Sequence, residues 1–403
     1  MATWLLVVIY LAFISLGLPD SLLGTAWPVM QTDLHAQLAT AGGLFMTIAG
    51  ATIVSSLMSG AVLRRFGTGK VAFVSTLMTA IALLGFSLAP SLLWLFVFAL
   101  PLGLGAGSID AGLNNYVATH YKAHHMSWLH CFWGVGATLG PVVMAPFIAG
   151  GGSAWRTGYV TIAALQGVLV IVLLMTLPLW SKAAASEAKA PGPAEEADVS
   201  AGSGEPQAKA AVEAVRSPLR IRGVKLALAA FLFYCGVEAT VGLWGASFLV
   251  NIKELAAADA ARWVSLYYAG ITLGRFIAGF ITLRVGNRAL IRSGQLTVLV
   301  GVALLLLPLP AGFSLAALLL IGLGLAPIFP CMLHETPARF GREASSSIIG
   351  YQMALAYVGS TCIPPLLGLL ASRATIGVFP AFILVSAVGL LASSERLNAL
   401  LKR

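Results

Sequence analysis

The sequence predicts an all-α membrane protein with twelve transmembrane helices in two pseudo-symmetric six-helix bundles. Three observations support this prediction. The 403-residue chain is 59% hydrophobic and only 10% charged, with a mean hydropathy of +0.91, which is far outside the range of soluble domains. Apolar runs of about 20 residues, long enough to cross the hydrocarbon core, recur along the chain. A polar stretch near the middle divides these runs into two sets of six.

The apolar runs follow one another with short polar connections, as expected for antiparallel spans. The first run lacks a basic N-terminal region and is interrupted by Pro19 and Asp20. We therefore interpret it as a retained span and not as a cleaved signal peptide. The predicted spans are residues 4–28, 38–63, 70–89, 91–119, 127–150, 155–180, 224–250, 262–283, 289–309, 311–333, 345–371 and 374–393.

Between the sixth and seventh spans the composition changes to Ala, Glu, Lys, Pro and Gly. A segment of this composition cannot bury a hydrophobic core. The prediction is an N-terminal six-helix bundle over residues 1–180, a mobile cytoplasmic linker over 181–222, and a C-terminal six-helix bundle over 223–403.

The formal net charge of +9 indicates membrane topology and not a nucleic-acid partner. If the N-terminus is inside, 19 of the 24 basic residues fall in segments on that side and only 4 fall in the opposite loops. By the positive-inside rule this bias places both termini in the cytoplasm. We expect a multi-pass protein of the cell (inner) membrane.

Several functions lack their sequence signatures. No Gly-x-x-x-x-Gly-Lys-Ser/Thr nucleotide loop occurs, so ATP hydrolysis by this chain alone is not expected. The polar segments outside the spans contain neither a serine nucleophile arrangement nor paired carboxylates, which argues against an enzyme. No cofactor is implied. The four cysteines lie singly in separate spans, and the loop histidines lack a carboxylate or cysteine at ligand spacing, so no metal site is expected.

Only four charged residues lie well inside the predicted spans: Asp20, Asp110, Glu238 and Arg275. An ionisable group in a bilayer is costly, so it usually faces a cavity or a partner. Glu238 and Arg275 fall at matching depths on consecutive antiparallel spans, which predicts an ion pair, either purely structural or rearranging during transport. Asp20 and Asp110 fall at different depths, which predicts that they do not touch. Each acid is a candidate proton carrier, although bracing a helix near a kink such as Pro19 is an alternative.

One face of the fourth span carries Gly103, Gly107, Asp110 and Asn114 at i, i+4, i+7 and i+11. Glycines on that face let a neighbouring helix approach closely. Amides in the spans can hydrogen-bond hydroxyl groups and aromatic faces can stack on sugar rings, although a membrane aromatic more often only packs. The candidate solute contacts are Asn114, Asn115, His130, Trp133, Glu238, Trp244, Tyr268, Arg275 and Gln352.

The two halves repeat short sequence features. The second and the eighth spans both end in the pattern Gly-x-x-x-x-Arg-x-Gly. The tripeptide Gly-Leu-Gly occurs at corresponding places in the fourth and the tenth spans. Over its whole length the chain resembles the major facilitator superfamily, although Arg64 stands where that superfamily usually has an Asp. Five patches resemble its fucose:proton symporter branch and related sugar permeases. These patches are residues 18–24, 105–114, 128–134, 233–238 and 270–276.

The superfamily resemblance implies the major facilitator fold and transport by alternating access. The branch resemblance implies a proton-coupled symporter of a sugar or similar polar solute, with Asp20 and Asp110 serving the proton and the substrate. Two other functions stay open. Residues 136–141 partly resemble a motif of drug:proton antiporters, which would export apolar compounds. A non-transporting scaffold or sensor is also conceivable, but buried carboxylates have no use there.

Overall fold

The computed structural model describes residues 2–121, 123–187, 218–282 and 284–401, and these residues contain twelve helical spans long and apolar enough to cross a membrane. The predicted fold class and the predicted number of spans are therefore confirmed. Large apolar side chains lie on the outer surface of the spans; Leu57, Met175 and Val385 are 81%, 74% and 71% exposed. Such a surface is stable against lipid and unstable against water.

The described N-terminal half forms the first six spans from helices α1 to α7. Its first span is broken near the membrane centre into α1 and α2, and a short 3₁₀ turn, Gly152–Ala154, precedes the sixth span. The helices are α1 (Ala2–Asp20), α2 (Leu22–Asp33), α3 (Thr40–Phe66), α4 (Thr68–Leu88), α5 (Leu92–His120), α6 (Ala123–Ala149) and α7 (Trp155–Glu187).

The described C-terminal half forms the other six spans from helices α8 to α15. Its tenth span is divided into α11 and α12, and the short helix α13 follows outside the membrane core. The helices are α8 (Val224–Lys253), α9 (Ala257–Ile281), α10 (Asn287–Leu306), α11 (Ala311–Leu325), α12 (Ile328–His334), α13 (Thr336–Phe340), α14 (Arg342–Arg373) and α15 (Phe379–Leu401).

Helix packing repeats between the halves. In the N-terminal bundle α5 packs on α3 and α4, α4 packs on α7, and α1 packs on α6. The corresponding helices of the C-terminal bundle make the same pairs: α11 packs on α9 and α10, α10 on α15, and α8 on α14. The bundles meet through α6 with α9 and through α3 with α14, which are also equivalent pairs. The repeated sequence features therefore correspond to a repeated fold.

Several helices extend beyond the apolar segments that predicted them. The first span reaches Asp33 and the twelfth reaches Leu401, and α7 continues to Glu187. Hydropathy marks only the lipid-covered part of a helix, whereas Ala, Lys and Glu at 181–187 are good helix formers in water. The predicted linker therefore begins within α7, and its residues 188–217 lie outside the described part of the chain.

The two bundles close on the side away from the chain termini. We call this side the distal face and the side where α1 begins and α15 ends the terminal face. At the distal face the Ala39 backbone N–H donates to Ser372 Oγ across the bundles (3.1 Å), and Trp244 is fully buried. Gly24 allows α2 to touch α8, since a methyl group at Gly24 would lie 2.7 Å from Leu243 Cα.

Toward the terminal face the facing helices carry exposed side chains. Trp128 on α6, Phe276 on α9 and Tyr351 on α14 are 47%, 51% and 40% exposed. Asp20, near the middle of the first span, is also exposed. We interpret these exposed side chains as the walls of a cleft between the bundles that is closed at the distal face and open toward the terminal face.

The glycine face predicted on the fourth span is a close helix contact. Gly103 and Gly107 lie against α3, where a methyl group at Gly107 would be 2.8 Å from Ser55 Oγ and closer still to the Thr52 carbonyl oxygen. Backbone cannot move aside as a flexible side chain can. The α3–α5 contact therefore depends on the absence of a side chain at these positions.

We predict that Gly107→Ala lowers the stability of the purified protein by about 1–3 kcal/mol, because the added methyl overpacks the α3–α5 contact. Gly50→Ala on α3 is the matched control, since nothing lies within 4 Å of its added methyl. That change should instead stabilise by about 0.5–1 kcal/mol through helix propensity. Thermal unfolding in detergent measures both. Equal effects of the two substitutions would contradict the close-contact interpretation.

Candidate functional site

The break between α1 and α2 lies near the membrane centre and is caused by Pro19. Proline has no backbone N–H, so the carbonyl oxygen of Ser15, four residues earlier, loses its helical donor. A buried carbonyl needs a partner. Gln166 Nε2 on α7 donates to this oxygen (2.7 Å), and Ser15 Oγ donates in return to Gln166 Oε1 (2.6 Å). Gln166 was not among the residues predicted from the sequence, although an amide in an apolar span is a suitable donor for the carbonyl freed by Pro19.

The last residue of α1, Asp20, faces the cleft between the bundles. Its Oδ2 accepts a hydrogen bond from Trp133 Nε1 on α6 (2.8 Å). The carboxylate is exposed although it lies at mid-span. Because Trp133 itself lies between the bundles, this exposure is to the cleft and not to lipid. Asp20 is therefore an accessible acid at the centre of the membrane.

Trp133 connects Asp20 to the opposite bundle. The guanidinium carbon of Arg275 on α9 lies 5.6 Å from the centroid of the Trp133 ring, within the range of a cation–π interaction. Arg275 also forms the predicted ion pair, with 3.0 Å between its guanidinium nitrogen and Glu238 Oε1 on α8. The pair is therefore confirmed. Asp20, Trp133, Arg275 and Glu238 form a continuous polar path from one bundle to the other.

The ion pair lies in a mostly buried setting, with Arg275 and Glu238 side chains 17% and 19% exposed. The Tyr267 hydroxyl donates to the Glu238 backbone carbonyl (2.9 Å) and fixes the turn of α8 that carries the acid. Removing one partner of a buried pair leaves an uncompensated charge, which is strongly destabilising. The pair thus holds α8 and α9 together at the cleft.

Asp110 lies on α5, nearer the terminal face than Asp20. Its Oδ1 accepts from Asn114 Nδ2 (2.9 Å), one turn further along the same helix. Neighbouring hydroxyls brace this part of α5, since Ser55 Oγ and Ser56 Oγ on α3 donate to the Leu104 and Gly107 carbonyls. In this state Asn114 orients Asp110, and Asp110 is partly exposed.

The other predicted solute contacts separate into two groups. Asn115 and His130 are exposed in the described structure. Trp244, Tyr268 and Gln352 are buried: Trp244 Nε1 donates to the Pro364 carbonyl (2.8 Å) in the distal closure, and Gln352 Oε1 accepts from Thr336 (3.1 Å) inside the C-terminal bundle. The structure therefore brings Asp20, Trp133, Glu238 and Arg275 together, and the buried Tyr268 lies near Asp20 and Glu238. Trp244 and Gln352 make their contacts elsewhere.

A sequence profile of the Major Facilitator Superfamily matches residues 9–360. The chain belongs to this superfamily. It is accordingly a multi-pass membrane protein and a secondary transporter, which moves a small molecule across the bilayer.

Two proteins of known sequence resemble the chain along most of its length. An uncharacterized transporter, y4wD, of Sinorhizobium fredii (strain NBRC 101917 / NGR234) is 25% identical over 386 residues, covering 91% of this chain and 93% of the relative. Bypass of stop codon protein 6 of Saccharomyces cerevisiae (strain ATCC 204508 / S288c) is 23% identical over 392 residues, covering 91% of this chain and 77% of the relative.

Solved structures share the fold at low sequence identity. The nucleoside transporter NupG, as a mutant, superposes with a TM-score of 0.73 at 16% identity, covering 98% of both chains. A bacterial homolog of the human lysosomal transporter Spinster, in an inward-facing and unoccupied conformation, gives a TM-score of 0.69 at 14% identity, covering 99% of this chain and 94% of that one. These likenesses concern the fold alone.

A second charge network lies on the terminal face of this superfamily member. Glu335, just beyond α12, accepts from Arg339 Nε (2.9 Å) and Arg288 Nε (3.2 Å), and Arg339 also donates to Asn398 on α15 (3.1 Å). Burial alone would raise the pKa of Glu335, but hydrogen bonds from the two arginines and their charges outweigh it and lower the pKa. Glu335 was not among the residues predicted from the sequence, although it lies at the end of a predicted span and its arginines lie in two predicted connections.

We predict that Glu335→Gln lowers the melting temperature at pH 7 by about 2–4 °C, because two charge-assisted hydrogen bonds weaken. A carboxylate with a lowered folded-state pKa stabilises the fold above its unfolded pKa of about 4.3, and loses this effect as pH falls through the folded-state value. The difference between the variant and the wild type should therefore shrink on acidification to about pH 3.

Glu395→Gln is the control for this measurement. Its pair with Arg292 is longer (3.7 Å), and the two side chains are 40% and 65% exposed. Exposed pairs contribute little to stability, so this variant should melt as the wild type does at both pH values. A pH-independent loss in Glu335→Gln would show that the carboxylate charge is not the stabilising feature.

Proposed function

We propose that the protein is a proton-coupled symporter of a sugar or similar polar solute. The observation that supports this proposal is the polar path from Asp20 through Trp133 to Arg275 and Glu238, because it links the two bundles at the depth where alternating-access transporters bind their substrates. A carboxylate accessible from the cleft at this depth is costly, and proton binding is a function that explains its presence.

The proposed cycle uses the cleft that is open toward the terminal face. Solute and proton exchange with that side while Asp20 is accessible. Protonation neutralises the acid, so the bundles can then rock through a dry intermediate without carrying an uncompensated charge. The distal contacts around Gly24 and Trp244 open as the terminal side closes.

The side chains available in the cleft favour a polyhydroxylated solute. Carboxylates and amides such as Asp110 and Asn114 hydrogen-bond hydroxyl groups, and the Trp133 ring supplies a flat face for stacking. NupG is described as a nucleoside transporter, and a ribosyl group presents the same hydroxyl chemistry, so nucleosides belong in a substrate screen. The patches that resemble the fucose:proton symporter branch add support for sugars.

Asp20→Asn should separate coupling from recognition. The amide mimics the protonated acid permanently, so proton-driven accumulation should fall to the equilibrium level while solute binding and solute exchange persist. Asp110→Asn, if this acid contacts the solute, should weaken binding and exchange together, by about tenfold or more for a charged hydrogen bond. Flux in proteoliposomes with and without a pH gradient measures both.

Asp259→Asn is the control for these variants, since this acid is 51% exposed and pairs with the exposed Arg262 three residues along. It should transport as the wild type does. Normal pH-driven accumulation by Asp20→Asn would remove Asp20 from the coupling mechanism.

We further propose that the terminal face is cytoplasmic, that the membrane is the inner membrane, and that the connection between α7 and α8 lies on the cytoplasmic side. The excess of basic residues on this face supports the orientation. A Ser200→Cys variant, made after the four native cysteines are replaced by alanine, should react with an impermeant thiol reagent only after cells are opened. Labelling of intact cells would overturn this topology.

A further inference from the structure

A small cavity lies inside the N-terminal bundle, and Asp20, which also faces the cleft between the bundles, is one of its lining residues. Its volume is about 50 Å³, and all its lining residues come from α1 to α5 and α7. Five lining side chains are polar and the rest are apolar. The polar ones are Ser15, Asp20, Thr76, Thr79 and Gln166.

The volume decides what the cavity can hold. Pockets for drug-sized molecules measure roughly 300–1,000 Å³, so a sugar or nucleoside does not fit. One water molecule needs roughly 10–15 Å³ of such space. The cavity therefore has room for about three or four waters, or for one small ion with part of its hydration shell.

The hydroxyl groups that line the cavity offer lone pairs and not hydrogens. Ser15 Oγ donates to Gln166 Oε1 (2.6 Å), Thr76 Oγ1 donates to the Ala72 carbonyl (2.9 Å), and Thr79 Oγ1 donates to the Thr76 carbonyl (2.8 Å). A hydroxyl has one hydrogen, so each can only accept from the cavity. Asp20 adds a carboxylate at the edge. A lining rich in acceptors and poor in donors suits a cation and repels an anion.

Burial of these acceptors determines which ion charge the cavity can hold. Ser15, Thr76, Thr79 and Gln166 are 7%, 1%, 5% and 2% exposed, and every other lining residue except Asp20 is apolar, so bulk water screens charges inside the cavity only weakly. One carboxylate balances one positive charge. A divalent ion would keep an uncompensated charge in a low-dielectric setting, which is costly.

We propose that this cavity binds a small monovalent cation, sodium, through the Asp20 carboxylate and the oxygens of Ser15, Thr76 and Thr79, in part through water. Hard cations take such oxygen ligands, and the smaller sodium ion can approach the carboxylate more closely than potassium, which strengthens their attraction. The site deepens the proposed function, because it lies at the residue assigned to coupling and would let sodium occupy the place of the proton. Binding itself does not depend on the solute.

The test is thermal unfolding of the purified full-length protein in NaCl, KCl and choline chloride at equal ionic strength. A ligand that binds only the folded state raises the melting temperature. We expect sodium to raise it by about 2–4 °C over choline. Asp20→Asn should abolish this sodium-specific rise, and Thr79→Val should reduce it at least twofold.

Thr176→Val is the matched control, because Thr176 on α7 also donates to its own helix, at the Val172 carbonyl (2.9 Å), and does not line the cavity. It should keep the full sodium shift. Gln166 stays unaltered, since replacing it would also strip the Ser15 carbonyl of its donor. The sodium shift is measured against choline within each variant, so a general loss of stability does not imitate loss of the site.

Equal melting temperatures in the three salts would overturn the site, and an equal rise in potassium would overturn its assignment to sodium. A full sodium shift in Asp20→Asn would overturn the place of the carboxylate in it. These outcomes are distinct from failure of the proposed symport, which is measured as solute flux under a pH gradient in sodium-free buffer.

Discussion

The cost of an ionised side chain in the membrane is the constraint on which the centre of this protein depends. Three of the four charges inside the spans meet around Trp133, whose indole N–H binds Asp20 and whose ring contacts Arg275. The Glu238–Arg275 pair carries no net charge, so Asp20 is the charge left to be compensated. This acid can be tolerated because it faces a cleft and because a proton or cation can neutralise it.

Proline at position 19 prepares the place where this acid lies. Because proline has no N–H, the Ser15 carbonyl lacks its helical donor, and Gln166 on α7 donates a hydrogen bond to it instead. The same break turns the chain so that α2 can continue toward the distal closure and Asp20 can face Trp133. One missing N–H thus produces a kink, a polar contact inside the bundle and an accessible carboxylate.

The two faces of the molecule carry different kinds of contact. Small residues such as Gly24 let the backbones of the two bundles touch at the distal face. At the terminal face, Glu335 and its two arginines form ionic contacts within the C-terminal bundle. Such contacts stabilise one bundle as a body without tying it to the other, as rocking of two bundles requires.

The sequence by itself determined the fold class, the twelve spans, the two halves and the depth-matched pair of Glu238 and Arg275, because hydropathy and helix rise depend on local composition and on chain length. The solute-contact role of Gln352, Trp244 and Tyr268 stays a prediction, and all three are buried in this state. Only the tertiary structure decided that Trp133 donates a hydrogen bond to Asp20 and that Gln166 donates one to the Ser15 carbonyl. It also decided that Glu335 accepts hydrogen bonds from two arginines. These contacts join residues 113, 151 and 47 positions apart; the rotation of each helix about its axis sets them, and packing against neighbours fixes that rotation.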